Sequence, residues 1–306
     1  MIALKATVSG SATAQFGAIT DVDLAAQNGS WILGVVSGSQ VKLARFGFEN
    51  SPIPGRQNIR FRKDTGAVSI AGTKVRLLAL DDKLLVSAVS DSNGALRLMT
   101  WTVGVDGTLT LKHDTGITGC LALEFAVAGG TAPQLLPSSP LMYQVVAATR
   151  VKALSSSQQL VRLYSWSVNP VSGAIQFLKS TASSGAEEVG THISLAGNGS
   201  GKFATAMTAG ASDSGTLKMT FWNVTHDGTF ASTGNTTSGS ELVEMTAIAP
   251  LGKNAGLSAL SSSGNASSFM TASAIPSGNL KLIAWELPRF STEGSNNDWR
   301  LADSGT

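Results

Sequence analysis

One eight-residue motif organises this chain, and its clearest copy reads Leu96-Arg97-Leu98-Met99-Thr100-Trp101-Thr102-Val103. The motif is apolar, basic and apolar, followed by two free positions, an aromatic residue, one free position and a final apolar residue. Four further copies occupy residues 41–48, 161–168, 217–224 and 280–287. The aromatic residues stand at 46, 101, 166, 222 and 285, so the motif repeats every 55 to 65 residues along the chain. Self-similarity of this kind is typical of repeat architectures.

Each copy of the motif lies between recurring strand and turn signals. An apolar strand and a polar turn precede it, as at residues 84–89 and 91–94. Another turn, such as Asp106-Gly107, and a more polar strand follow it. A further apolar strand, such as residues 75–80, opens each unit. The pattern therefore predicts four antiparallel strands per unit and essentially no helix.

Four antiparallel strands with this period are typical of a β-propeller, in which each sheet packs between two others. Both faces of the middle strands must then be apolar, as the alternation of the motif provides. We predict an all-β, five-bladed β-propeller with four antiparallel strands per blade, forming a single domain over residues 1–306. The predicted units are approximately residues 17–72, 73–119, 120–185, 186–239 and 240–306, with 1–16 as a closing strand. Residues 2–8 and 299–304 both fit an outermost strand, and either one could close the ring.

In repeat number and strand count, the chain resembles five-bladed β-propellers, the architecture of tachylectin-type lectins and of several glycoside hydrolase families. The resemblance covers essentially the full length. It implies a propeller that binds or cleaves a carbohydrate. No family motif matches residue by residue, so the resemblance implies no particular site residues.

Composition supports the fold and excludes several classes of protein. Charged residues make up 14% of the 306 residues and aromatic residues 6%, which excludes helical bundles and coiled coils. With 22 basic and 20 acidic residues, the net charge is +2, so we expect no nucleic-acid partner. The single cysteine, Cys120, excludes an internal disulfide framework and a cysteine zinc site, and we interpret it as a small buried hydrophobe.

We expect no targeting signal within the first residues of the given sequence. Residues 1–7 lack a basic segment followed by a long apolar run, and no stretch approaches the length of a membrane span. We expect a soluble chain with no membrane span. Secretion stays open, and neither the compartment nor the oligomeric state is indicated.

Three Asp-Thr/Ser-Gly triplets, at residues 64–66, 114–116 and 303–305, match the loops that carry the paired carboxylates of an aspartic protease. All three lie at the same phase of the repeat, where a strand ends. No buried apolar strand precedes them. We interpret them as turns.

The basic and aromatic positions of the motif allow two interpretations. In a closed ring the basic residues would lie at equal radius, where they could contact anions or sugar hydroxyls, or pair with carboxylates and follow the blade edge. These residues are Lys42, Arg97, Arg162, Lys218 and Lys281. Trp101, Trp166, Trp222 and Trp285 could stack on sugars, but a mid-strand position between sheets favours the core. Because every unit repeats both features, we interpret them as structural.

Residues that break the repeat near the predicted axis are better candidates for function. Aligning the opening strands brings five of them to one level: Asp21, Arg76, Glu124, His192 and Glu244. This set suits acid/base chemistry or the binding of a small ligand. Alternatively, it lines a hydrated channel in which the charges compensate one another. We predict no cofactor and no metal site, because His113 and His226 have no ligand partner at a useful spacing.

Three functions remain open. No nucleophile, base and orienting residue stand at a recognisable spacing, which favours a non-catalytic propeller that binds a carbohydrate or another small molecule. The alternative is an enzyme with one axial site, such as a glycosidase-like hydrolase that uses Asp21, Glu124, His192 and Glu244. The third is a scaffold that binds protein through inserted loops such as residues 129–140 and 251–268.

Overall fold

The structure is a computed structural model and contains strands and loops throughout its described part. It describes residues 18–27, 30–50, 57–64, 68–116, 118–133, 140–152, 159–181, 189–197, 201–209, 215–250, 268–275, 279–286 and 300–305. Among these residues no helix is long and apolar enough to cross a membrane. The predicted all-β class is confirmed.

The strands of the described part are numbered in chain order. They are β1 (Ile19–Gln27), β2 (Ser30–Ser37), β3 (Gln40–Asn50), β4 (Gln57–Asp64), β5 (Val68–Ala71), β6 (Lys74–Ala79), β7 (Leu84–Ser90), β8 (Leu96–Val103), β9 (Leu109–Asp114), β10 (Glu124–Thr131), β11 (Tyr143–Lys152), β12 (Gln159–Val168), β13 (Ile175–Ser180), β14 (Val189–Gly197), β15 (Lys202–Ala209), β16 (Gly215–Val224), β17 (Phe230–Val243), β18 (Met245–Pro250), β19 (Ser268–Ala274), β20 (Leu280–Glu286) and β21 (Arg300–Gly305).

These strands form five sheets, in which strands that follow one another in the chain are also neighbours in the sheet. Sheet 1 contains β1 to β4, with β5 added against β3. Sheets 2, 3, 4 and 5 contain β6 to β9, β10 to β13, β14 to β17 and β18 to β21. Where the connection is a turn of two to five residues, as between β2 and β3 or between β8 and β9, the chain can only return antiparallel to the preceding strand.

The chain divides into two compact units. The first contains Met1–Leu121 and Asn169–Ile175, and the second contains Ala122–Val168 and Gln176–Thr306. In the first unit β1 packs beside β6, and in the second β14 packs between β10 and β18. The first strand of each sheet is therefore the one that meets the neighbouring sheet of its unit.

The tryptophans of the motif belong to the core. Trp101, Trp166 and Trp285 are buried, and Trp222 is half-buried. Trp101 packs with apolar residues of sheets 1 and 2, and Trp285 packs with those of sheets 4 and 5. The prediction that these residues fill the space between sheets is confirmed for Trp101, Trp222 and Trp285, and Cys120 is buried as expected.

Strand boundaries follow the sequence pattern closely, with three differences. Sheet 1 contains a fifth strand, β5, where four were predicted. The turn predicted at residues 303–305 is wrong, because β21 continues through them and pairs with β20. The third difference lies in the fourth unit. The turn predicted at Ser238-Gly239 is absent, because β17 continues to Val243 and pairs with the early start of β16 at Gly215. Register shifts in this ladder absorb the extra residues. The predicted strand at 299–304 corresponds to β21, which pairs with β20 as the fourth strand of sheet 5. Residues 2–8 lie outside the described residues.

Candidate functional site

Two of the five predicted axial residues form an ion pair in the first unit. Asp21 on β1 and Arg76 on β6 are half-buried, and Arg76 Nη1 lies 2.9 Å from Asp21 Oδ2. The same carboxylate oxygen accepts the backbone N–H of Val75 at 2.7 Å. The two charges therefore compensate each other, as a charge-balanced channel lining requires.

Asp23 repeats this arrangement one step along β1. Its Oδ2 accepts the backbone N–H of Leu77 at 2.6 Å. Burial raises the pKa of the Asp23 carboxyl, and the hydrogen bond from Leu77 opposes that rise. Together, Asp21 and Asp23 satisfy N–H groups on the open edge of β6. Asp23 was not predicted from the sequence, although its spacing of two from Asp21 places both on one face of a strand.

The other three predicted residues belong to the second unit. Glu124 is half-buried at the start of β10, in register with Arg150 of β11, and His192 is half-buried on β14. Glu244 is exposed in the bend directly before β18, where its backbone N–H donates to the carbonyl of Ala274 at 2.9 Å. The long β17 takes up Val243, which was predicted to open this strand. A joint site of all five residues stays a prediction.

Within the described ranges, no cluster of three histidine, cysteine or acidic side chains is arranged to hold a metal ion.

The triplet at 114–116 is a turn. Both oxygens of Asp114 accept hydrogen bonds from Arg97, and Oδ1 also accepts the N–H of Gly116 at 2.8 Å. Arg97 lowers the pKa of Asp114, the opposite of what a carboxylate that shares a proton needs. Arg97 is the basic residue of the motif. In this copy of the motif the basic residue therefore pairs with a carboxylate.

A pocket of about 190 Å³ lies between sheets 3 and 4 of the second unit. Its lining combines apolar side chains, neutral polar groups and a single carboxylate. The lining residues are Ala132, Met142, Gln144, Ser167, Gln176, Leu178, His226 and Asp227. Strands β11, β12 and β13 supply one wall, and the turn between β16 and β17 supplies another.

Gln144 is the most deeply buried polar residue of this pocket, with 1% of its surface exposed. Its Nε2 donates to the carbonyl of Thr225 at 2.9 Å, while its Oε1 has no hydrogen-bond partner. The amide cannot be turned over, because that would set its oxygen against the Thr225 oxygen. Gln144 therefore has a fixed acceptor oxygen that is buried and has no hydrogen-bond partner.

A backbone carbonyl fixes the ring of His226. Its Nδ1 lies 3.0 Å from the carbonyl oxygen of Pro133, which can only accept, so Nδ1 carries a proton. In the neutral ring Nε2 then holds a lone pair.

The turn that carries His226 is held firmly. Lys179 Nζ lies 2.5 Å from Asp227 Oδ2, and Asp227 Oδ1 accepts the Thr225 hydroxyl at 2.5 Å. The ammonium and hydroxyl donors lower the pKa of Asp227 strongly. Ser165 on β12 donates to the carbonyl of Gly228 at 3.0 Å. These bonds fix the turn whose Thr225 carbonyl accepts the hydrogen bond from Gln144.

This pocket was not predicted from the sequence. Gln144 is the only amide in a run of apolar residues, and that was its sole signal. His226 was recognised as a turn residue, but it was considered only as a metal ligand.

No family model matches the chain. None of the curated proteins matches it either.

Among solved structures the chain is similar to the SapL1 lectin in complex with alpha methyl fucoside, at a TM-score of 0.50 and 12% identity, over 95% of this chain and 82% of that chain. It also aligns with the GH43_1 enzyme from Xanthomonas citri complexed with xylose, at a TM-score of 0.42 and 8% identity, over 92% of this chain and 90% of that chain. A third alignment is with Trypanosoma rangeli sialidase in complex with the inhibitor DANA, at a TM-score of 0.42 and 9% identity, over 87% of this chain and 44% of that chain. At 12% identity the likeness to the lectin shows a propeller-like fold and nothing finer.

Proposed function

We propose that this protein is a five-bladed β-propeller that binds a carbohydrate and does not cleave it. The pocket at Gln144 is the observation that carries this function. Sugars present hydroxyl groups and apolar C–H faces together, and the pocket offers neutral polar groups beside Met142 and Leu178. Its volume of about 190 Å³ lies below the roughly 300–1,000 Å³ of drug-sized sites, which suits a single sugar ring.

The pocket is poorly equipped for glycoside hydrolysis. That reaction ordinarily uses two carboxyl groups, one of them protonated as a general acid. Asp227 is the one carboxylate of the pocket lining, and its lowered pKa keeps it ionised. Binding without cleavage is therefore the better fit to the chemistry of this lining.

Two apolar sheet faces are exposed in the structure, and a closed ring would cover both. On sheet 5 the face that points away from sheet 4 is apolar in all three rows of paired residues: Met245, Ala274 and Leu280, then Ala247, Ala272 and Leu282, then Ala249, Met270 and Ala284. Met245 and Leu280 are each 56% exposed on this face. Sheet 1 presents Val22 and Leu24 in the same way. A ring covers every such face, whereas an open array leaves two of them in water.

The fold likeness agrees with this function, since the similar lectin structure holds alpha methyl fucoside. The axial set of Asp21, Arg76, Glu124, His192 and Glu244 stays a predicted second ligand site. The mutual pairing of Asp21 and Arg76 favours a compensated channel there.

Saturation-transfer NMR with the methyl glycosides of fucose, galactose, mannose, glucose, xylose and N-acetylglucosamine tests the proposal. We expect at least one of them to bind, with no release of p-nitrophenol from the matching p-nitrophenyl glycosides. If none binds, the carbohydrate function is wrong. If p-nitrophenol is released with normal turnover, the protein is an enzyme and the non-catalytic function is wrong.

A further inference from the structure

We infer that Arg162 binds the carboxylate group of a small ligand, at the place where Arg97 of sheet 2 holds a carboxylate of the chain itself. This site is separate from the pocket between sheets 3 and 4. Successive residues of β12 alternate between the two faces of sheet 3, so Arg162 lies on the face opposite to Leu163, which packs with sheet 4, and Ser167, which lines the pocket. The inference is therefore independent of the proposed carbohydrate function.

The same pair of hydrogen bonds joins the end of the outer strand to the motif in sheets 2 and 3. In sheet 2 the N–H of Leu98 donates to the Thr115 hydroxyl at 3.0 Å, and the N–H of Thr115 donates to the Leu98 carbonyl at 3.0 Å. In sheet 3 Leu163 and Thr181 form the same two bonds, at 3.0 and 2.9 Å. The residue before each of these four residues therefore has an equivalent place in the other sheet.

Arg162 corresponds in this way to Arg97, but the two arginines have different neighbours. Nε and Nη2 of Arg97 both donate to the carboxylate of Asp114. In sheet 3 the place of that aspartate is taken by Ser180, which is exposed. Within the described residues the Arg162 guanidinium has no hydrogen bond and no ion pair. The place that a carboxylate fills in sheet 2 is therefore open to solvent in sheet 3.

The accessible part of Arg162 is the end of its side chain. The residue is half-buried, and its Nε is buried without a partner. Nη1 and Nη2 also lack a partner among the described residues, but they are not buried, so a ligand in solvent can reach them. A guanidinium presents its N–H groups in one plane, in a geometry that matches the two oxygens of a carboxylate.

The charges of sheet 3 also favour an anion. In the described part of residues 120–181 there is one acidic side chain, Glu124, and there are four basic ones: Arg150, Lys152, Arg162 and Lys179. Of these, Lys179 is paired with Asp227 of the neighbouring turn. A half-buried guanidinium without a counter-ion is costly for the fold to keep. A carboxylate at Nη1 and Nη2 would compensate this charge.

Titration of the full chain with sodium acetate, at neutral pH and constant ionic strength with chloride as the exchanged anion, tests the site. The ¹⁵Nε–H signals of Arg162 and Arg97 report on it, because the guanidinium is delocalised and contact at Nη changes the whole group. We expect the Arg162 signal to shift and saturate with a dissociation constant on the order of 10 mM, as two charge-assisted hydrogen bonds allow. The Arg97 signal should stay in place, because Asp114 occupies its site. An unmoved Arg162 signal, or an equal shift of both signals, overturns the inference.

Two reciprocal variants separate binding at this site from a general effect of salt. Ser180→Asp supplies the missing carboxylate, so the Arg162 signal should be shifted before acetate is added, and acetate should bind at least roughly tenfold more weakly. Asp114→Ser empties the equivalent place in sheet 2, so the Arg97 signal should now respond to acetate. An unchanged acetate affinity in Ser180→Asp, or an unresponsive Arg97 in Asp114→Ser, overturns the inference.

Discussion

Trp166 on β12 lies diagonally across from Ala147 on β11, and its buried indole N–H has no acceptor. In three other sheets the residue at the position of Ala147 carries a hydroxyl group that accepts this bond. The pairs are Trp101 with Ser87 at 2.8 Å, Trp222 with Thr205 at 3.2 Å and Trp285 with Thr271 at 3.0 Å. Each acceptor stands two residues after the strand partner of its tryptophan. Sheet 3 is therefore the exception to a rule that its neighbours share.

Restoring the rule should stabilise the protein. In Ala147→Ser the new hydroxyl would accept the Trp166 N–H, and we expect the free energy of unfolding to rise by about 1 kcal/mol. The reverse change, Ser87→Ala, should lower it by about 1–3 kcal/mol, because it leaves the buried N–H of Trp101 unpaired. Urea unfolding of both variants checks this. If Ala147→Ser and Ser87→Ala lower the free energy of unfolding by the same amount, packing around Trp166 already compensates for the missing hydroxyl group in sheet 3.

Removing the Trp166 ring should be far more damaging. The side chain is completely buried and contacts Tyr164 and Phe177. Trp166→Ala should cost about 3–5 kcal/mol and reduce the soluble yield, since the cavity cannot collapse between rigid sheets. Thermal unfolding measures the loss. A variant that kept its melting temperature and lost a ligand would contradict the structural role of this residue.

Two aspartates of the first unit should respond to pH with opposite signs. Burial raises the pKa of Asp23, so its charge is unfavourable in the folded state, and this penalty disappears as the pH falls below the ordinary value of 3.8. Arg97 lowers the pKa of Asp114, so that ion pair stabilises the protein above 3.8 and is lost as the pH falls through the lowered pKa.

We therefore expect Asp23→Asn to be more stable than the native protein at pH 7 and Asp114→Asn to be less stable. The Asp114 effect should stay below about 1 kcal/mol, because the pair is partly exposed. The amide that replaces the Asp23 carboxylate keeps an oxygen for the Leu77 N–H, so the variant isolates the charge. Urea unfolding from pH 3 to pH 7 measures both differences, which should converge at the acid end. If both variants change the free energy of unfolding in the same direction at pH 7, the opposite pKa shifts of Asp23 and Asp114 are refuted.

The sequence predicted the parts of this molecule that repeat and missed the parts that depend on distant partners. The motif at 96–103 coincides with β8, and burial of Trp101 followed from its place in the alternation. Gln144 could not be recognised, because its significance comes from the Thr225 carbonyl 81 residues away in the chain. Ser238-Gly239 was predicted as a turn because both residues favour turns, but pairing of β17 with β16 keeps this segment extended.

The turn at the pocket depends on a glycine. Gly228 has a φ of +84°, and a Cβ atom there would lie 2.5 Å from both Leu178 Cβ and Ser165 Oγ. Gly228→Ala should combine backbone strain with steric conflict. Gly116 separates the two effects, since its φ is +65° but a Cβ would meet nothing within 4 Å. We expect Gly116→Ala to cost about 1–2 kcal/mol, the strain alone, and Gly228→Ala to cost clearly more and weaken sugar binding. If Gly116→Ala and Gly228→Ala lose comparable free energies of unfolding, the turn at Gly228 can shift to make room for the Cβ atom.

Closure of the proposed ring can be tested on its apolar faces. Leu282 on sheet 5 is 40% exposed and Leu24 on sheet 1 is 57% exposed. A lysine in water costs within about 0.5 kcal/mol, whereas a lysine on a covered apolar face must bury its charge or force the face open. We expect Leu282→Lys and Leu24→Lys each to cost more than about 2 kcal/mol. Leu111→Lys is the matched control, since Leu111 is 41% exposed on the outer strand β9 and should tolerate the change.

The three variants separate a closed ring from the arrangements that compete with it. If all three unfold at the same urea concentration as the native protein, the faces lie in water and the ring is open. If the losses at Leu24 and Leu282 vary with protein concentration and light scattering shows a dimer, a second copy covers the faces, and the closed ring is again contradicted. Large losses that are independent of concentration, in a monomer, are the result that a closed five-bladed ring requires.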